Sequence, residues 1–104
     1  MWLCGFSFPD LRTLAHKTPY AIERWQDWCR RMSMVLVGSM PEVEGEELFN
    51  TSYVVDADGE LAGRYRKSHL FSPNGEHLRF AAGRELVVCN TQVGRLGILI
   101  CYDL

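Results

Sequence analysis

The tripeptide Ala57-Asp58-Gly59 limits the fold of this chain more than any other stretch. It separates two β-rich arms, residues 48–56 and 60–67. The first arm carries Tyr53, Val54 and Val55. The second carries Leu61 and Tyr65 with the cations Arg64, Arg66 and Lys67. An Asp-Gly pair between such arms is the strongest short-range signal for a β-hairpin. The middle of the chain is therefore a strand pair, and its flanking segments must pack on it.

Upstream, residues 10–16 suit a short helical turn, and Thr18-Pro19 opens a longer helix. Threonine can cap the free N–H groups, and proline is tolerated in the first turn. Ala21, Ile22, Trp25, Trp28, Cys29 and Met32 then fall on one helical face. The two tryptophans read better as core packing than as a ligand platform. Arg30 and Arg31 suit the negative end of the helix dipole. Val35-Leu36-Val37-Gly38 follows as a short apolar run, hence a buried strand, and the helix feeding it suggests a crossover beneath a sheet. Residues 41–47 carry Glu42, Glu44, Glu46 and Glu47. With no apolar neighbours and no calcium-loop pattern, they read as a solvated loop. Residues 86–89 form another strand, with Cys89 as core. Residues 91–94 make a turn, and residues 95–101 are the closing strand. One good helix and about five strands give an α/β or α+β layer arrangement.

Composition narrows the function classes. The chain has 104 residues, 47% hydrophobic and 23% charged, with net charge −2, so it is at most one small domain with no general attraction to nucleic acid or anionic lipid. No apolar run reaches the roughly 18 residues needed to span a bilayer, and no basic-then-apolar leader opens the chain. Cys4, Cys29, Cys89 and Cys101 have no zinc-site spacing and read as reduced thiols of a cytoplasmic protein. Both ends are apolar, which suggests a piece of a longer protein.

Two residues stand where chemistry is usually placed. Cys101 follows the apolar run Ile98-Leu99-Ile100, and Lys67 follows the second hairpin arm. In open α/β sheets the ends of strands border the ligand crevice. The competing reading of Cys101 is a buried core thiol. That of Lys67 is a solvated cation with Glu76 as its surface neighbour in the turn-rich loop 68–77. If both strands end on one edge, an amine and a thiol meet there. A thiolate is a strong nucleophile, and a fixed ammonium stabilises the oxyanion formed when it adds to an amide or nitrile carbon. No base is evident. Asp103 would share a face with Cys101 only if the strand continued, so a structural role suits it better. His69 and His77 suit lining or packing.

At this point the motifs resemble those of the nitrilase superfamily, the carbon–nitrogen hydrolases. Tyr65-Arg66-Lys67-Ser68-His69-Leu70-Phe71 is similar to its lysine motif, and residues 94–104, ending Cys101-Tyr102-Asp103-Leu104, to its nucleophile motif. Asn50-Thr51 and the Asp58-Gly59 hairpin fit the strand pair before the lysine. Met1-Trp2-Leu3-Cys4-Gly5-Phe6 fits the segment after the first catalytic glutamate. The spacer from Lys67 to Glu76 is most similar to the small-amidase branch that includes ω-amidases.

The resemblance implies an α/β fold, part of a four-layer α-β-β-α sandwich incomplete at both ends, with residues 1–104 a partial carbon–nitrogen hydrolase domain. It implies Cys101 as nucleophile, Lys67 as oxyanion stabiliser, Glu76 as the glutamate orienting the lysine and substrate, and the Tyr102 N–H as the second oxyanion donor. The reaction implied is hydrolysis of a small-molecule amide to carboxylate and ammonia through a cysteine thioester. It needs no metal or organic cofactor and no nucleic-acid or membrane partner, and the full-length form is expected to be a homo-oligomer. The family's base glutamate, in a Pro-Glu pair, would align immediately before Met1. The 104-residue chain alone is thus expected to be inactive. It is also expected to fold poorly, with parallel strands left open-edged and one sheet face bare. Competing readings are a non-catalytic remnant binding a partner through its open sheet and, within the family, a nitrilase, an N-carbamoyl amidohydrolase or an amide-transfer domain. A thiol redox protein fits poorly, because no second cysteine is placed to resolve Cys101.

Overall fold

The computed structural model describes residues 1, 3–5 and 10–104. Two helices, α1 (Leu11–Ala15) and α2 (Thr18–Met32), precede five strands: β1 (Leu36–Glu44), β2 (Glu47–Val55), β3 (Leu61–Arg66), β4 (Val87–Thr91) and β5 (Gly94–Ile98). Single 3-10 turns occupy Ser72–Asn74, Glu76–Leu78 and Cys101–Asp103. Part of the apolar N-terminal stretch, residues 2 and 6–9, lies outside the described residues. Residues 3–5 form a turn in which the Gly5 N–H donates to the Met1 carbonyl at 2.9 Å. Among the described residues no helix is long and apolar enough to cross a membrane.

The expected hairpin is the centre of the fold. β2 and β3 pair antiparallel around the turn at residues 56–60, where the Gly59 N–H donates to the Asp56 carbonyl at 2.8 Å. β1 adds to the other edge of β2, giving a sheet ordered β1-β2-β3. β4 and β5 form a separate antiparallel ribbon. Side chains alternate across a strand, so β2, buried from Phe49 to Val55, supplies two cores. Tyr53 and Val55 pack with Met40 against Ala21, Trp25 and Cys29 of α2. Val54 packs on the opposite face with Tyr65, Cys89 and Ile98. The result is three layers: helix, three-stranded sheet, two-stranded ribbon. Val88 on the outer side of the ribbon is 60% exposed.

Several sequence expectations are corrected. All strand pairs among the described residues are antiparallel, so the expected parallel strands and crossover are not found. Helix α2 does feed β1 and pack on the sheet, but β1 turns straight back into β2 through Gly45-Glu46, with Gly45 at φ +58°. The short apolar strand at residues 35–38 is the start of the nine-residue β1, and its Val37 is 48% exposed. The glutamates are a solvated loop only in part: Glu44, Glu46 and Glu47 are exposed, with Glu46 in the turn, but Glu42 is not. Glu42 is buried within β1, takes Arg66 at 2.6 Å and Arg64 at 2.9 Å as ion partners, and accepts the Thr51 hydroxyl proton. Glu42, Glu44, Arg64 and Arg66 project to one face of the sheet, which only the strand register reveals. Thr18 does not cap α2; its hydroxyl donates to the Pro41 carbonyl at 2.6 Å. Met32 is exposed rather than packed. The closing strand stops at Ile98, before Cys101.

Candidate active site

Lys67 lies one residue beyond β3, and its backbone is held from two sides. Its N–H donates to the Asn50 carbonyl of β2 at 2.9 Å, and its carbonyl accepts the Gly83 N–H at 2.8 Å. The chain at Gly83 runs so close that a Cβ there would fall 2.1 Å from the Arg66 carbonyl oxygen. Gly83→Ala is therefore expected to shift the Lys67 backbone and destabilise the protein by about 1–3 kcal/mol, the usual range for overpacking. A Tm equal to the parent's would contradict this.

The lysine side chain is buried rather than solvated. Its Nζ lies 2.7 Å from Glu76 Oε2, with the two side chains only 3% and 6% exposed. Burying two charges is costly unless the remaining lone pairs are also satisfied. For the carboxylate they are: Glu76 Oε2 also accepts the Phe71 N–H at 2.6 Å, and Oε1 accepts Asn50 Nδ2 at 3.0 Å. Glu76 opens a 3-10 turn after Gly75 at φ +75°, and its own N–H donates to Asn74 Oδ1 at 3.1 Å. This ties the loop that carries it. Burial pushes the Glu76 carboxyl up, but the bonds from Lys67, Phe71 and Asn50 outweigh it and hold the carboxyl below its ordinary value. A folded-state value below the unfolded one means the unfolded chain binds the proton first. The stabilisation is complete above the ordinary carboxylate range, near pH 4.3, and is lost as pH falls through the lowered folded value. Glu76→Gln is thus expected to flatten the acid limb of a stability–pH profile measured by urea melts; an acid limb as steep as the parent's would contradict it.

Cys101 sits three residues beyond β5, at the start of the 3-10 turn Cys101–Asp103, and is exposed. Its φ of +50° is unusual for a residue with a side chain. Asp103 acts structurally. Its Oδ2 accepts the Ile100 N–H at 2.9 Å and the Tyr65 hydroxyl at 2.8 Å, and its Oδ1 accepts the His69 N–H at 2.8 Å. Cys101, Lys67 and Glu76 line one cavity of about 400 Å³ together with Ser39, Asn50, Phe71, Asn74, Ile100 and Met1. Tyr102 is not among the lining residues. Its ring is 55% exposed and meets Phe71 edge-on, centroids 5.2 Å apart. His69 lies beside Asp103, and His77 is exposed. Asn50 is the component that motif reasoning left without a role. Only the pairing of β2 with β3 brings it to both Lys67 and Glu76.

A second cleft of about 460 Å³ lies between β3 and residues 82–87. It is larger, but its Arg66 is already paired with Glu42 and Glu44, and among the described residues no nucleophile lines it. The chemistry available is therefore in the first cavity, which a thiol shares with a buried ammonium whose charge is balanced by one carboxylate.

The carbon-nitrogen hydrolase family profile matches residues 1–104, the whole chain. The chain belongs to the carbon-nitrogen hydrolase family. Similar members of that family include a chloroplastic omega-amidase of Arabidopsis thaliana, 39% identical over 83 residues, covering 72% of this chain and 22% of that protein. A 2-oxoglutaramate amidase of Bacillus subtilis is 29% identical over 106 residues, covering all of this chain and 41% of that protein. Among solved structures, a carbon-nitrogen hydrolase from Helicobacter pylori superposes with a TM-score of 0.86 at 26% identity, over 99% of this chain and 36% of that one. An amidase from Nesterenkonia sp. AN1, solved with acrylamide added to its active-site cysteine, gives a TM-score of 0.74 at 31% identity, over 86% of this chain and 35% of that one. This carbon-nitrogen hydrolase chain therefore has part of the nitrilase fold, and it spans about a fifth to two fifths of its relatives' length.

Proposed function

We propose that the protein containing this chain hydrolyses a terminal amide of a small carboxylic acid, releasing ammonia through a thioester on Cys101. The observation that carries this is the buried Lys67–Glu76 pair in the same cavity as an exposed cysteine. The names of similar proteins, an omega-amidase and a 2-oxoglutaramate amidase, support an amide at the end of a short acid as the substrate class.

In this reading the Cys101 sulfur attacks the amide carbon, and the carbonyl π pair moves onto oxygen. Lys67 Nζ donates to that oxyanion, the point where preorganised donors matter most; the Tyr102 N–H, of a residue outside the cavity lining, is the second donor on the resemblance alone. The base takes the thiol proton and passes it to the amide nitrogen, so that collapse breaks the C–N bond and the nitrogen leaves as ammonia. A water then adds to the thioester, the C–S bond breaks, and the carboxylate and thiol are regenerated. Glu76 keeps Lys67 oriented. Its oxygens are committed to Lys67, Phe71 and Asn50, so it is poorly placed to act as the base. The base is a glutamate preceding this stretch in the full-length protein, as the resemblance implies. The full-length protein is read as a homo-oligomer on that resemblance alone, and as cytoplasmic on its cysteine usage.

The test is ammonia release by the full-length protein from a panel of terminal amides that includes 2-oxoglutaramate, with intact-mass detection of an acyl adduct on Cys101. Ammonia release with the adduct is the expected result. Turnover confined to nitriles or N-carbamoyl compounds would move the protein to another branch. Amide turnover with no dependence on Cys101 would refute the mechanism. The 104-residue chain alone is expected to release no ammonia above background, since Glu76 is the one carboxylate among the cavity's lining residues and it is engaged.

A further inference from the structure

We propose that Asp103 is a positioning residue that locks the Cys101 turn to the lysine-bearing segment; this rests on the reading of Cys101 as nucleophile. The carboxylate is 1% exposed and accepts from both motifs. Ile100 N–H, immediately before the nucleophile, donates to Oδ2 at 2.9 Å. Tyr65 O–H, two residues before Lys67, donates to the same oxygen at 2.8 Å. The His69 N–H, two residues after Lys67, donates to Oδ1 at 2.8 Å, and His69 Nδ1 lies 3.1 Å from it. One side chain thus joins stretches 34 to 38 residues apart in sequence.

The joint is needed because of how the nucleophile is presented. A non-glycine residue at φ +50° is held in a sparsely populated conformation, which persists only when its surroundings over-determine it. β5 ends at Ile98, and among the described residues no sheet pairing restrains Cys101. What restrains it is the turn closed by the Asp103 N–H to the Ile100 carbonyl at 3.1 Å and by the Asp103 carboxylate on the Ile100 N–H. The carboxylate stays charged: burial pushes it up, but the Ile100 and His69 N–H groups and the Tyr65 hydroxyl outweigh that. With its oxygens taken by these donors, Asp103 orients Cys101 rather than deprotonating it.

The experiment compares Asp103→Asn, Tyr65→Phe and Cys101→Ser in the full-length protein, reading kcat, KM and folded fraction by circular dichroism. Asp103→Asn keeps the shape but turns an amide N–H₂ toward donors. It is expected to lower kcat per folded molecule about 10–100-fold with KM changed less than about threefold, the signature of a misplaced reacting group. Tyr65→Phe removes one donor and is the milder variant; it is expected to lower kcat about 3–10-fold by the same cause. It serves as the test should the asparagine variant fail to fold. Unchanged kcat per folded molecule in the variants that fold would overturn the positioning role. Parental activity in Cys101→Ser would instead overturn the nucleophile reading beneath it.

Discussion

Replacing Cys101 by serine in the full-length protein is expected to abolish amide hydrolysis, by about a million-fold in kcat if the site behaves as other nucleophile-dependent hydrolases do. The argument is chemical. Lys67 can supply positive charge and an N–H donor, but not the soft sulfur nucleophile that forms the thioester. A serine hydroxyl is a harder, far less readily activated nucleophile than a thiol, so a base matched to sulfur does not activate it. Ammonia release under saturating amide, with circular dichroism to show that the variant is folded, checks this. A folded Cys101→Ser protein within a hundredfold of the parent would mean that chemistry runs through another group.

Lys67→Met carries the second largest effect, because it acts on rate and on stability together. Losing one oxyanion donor costs about 100–1,000-fold in kcat. The same change leaves the Glu76 carboxylate buried with only Phe71 and Asn50 as donors. Breaking a buried pair from one side costs about 3–5 kcal/mol. The two effects separate in the double variant Lys67→Met/Glu76→Gln, which removes both charges. Its stability should recover most of the loss while kcat stays low. Urea melts and ammonia release on the single and double variants supply the readout. If the double variant regained activity, the oxyanion role of Lys67 would be wrong. If Lys67→Met were as stable as the parent, the ion pair would not be buried in solution.

Local signals carried the sequence reading well where the cause of structure is local. The Asp-Gly turn predicted β2 and β3 to within a residue or two, and the spacing of Ala21, Trp25 and Cys29 predicted the buried face of α2. Those features depend on turn geometry and on a 3.6-residue period, both written in neighbouring residues. The glutamates of β1 were misread for the converse reason. Their partners, Arg64 and Arg66, lie 22 and 24 residues away and meet Glu42 only across the paired strands. A charge run looks solvated until its register is known.

The candidate site divides in the same way. From sequence alone came the residue types and their order: a lysine after one strand, a cysteine after another, a glutamate in the loop between, and a resemblance to one family. Composition and motif suffice for these because chemistry is a property of side chains. Only the tertiary structure decided that Lys67 and Glu76 are buried as a pair, that Asn50 binds both, and that Asp103 joins the two motifs. Burial, ion pairing and backbone strain at Cys101 depend on which distant strands lie side by side, and that is settled by packing of the whole sheet rather than by any short stretch of it.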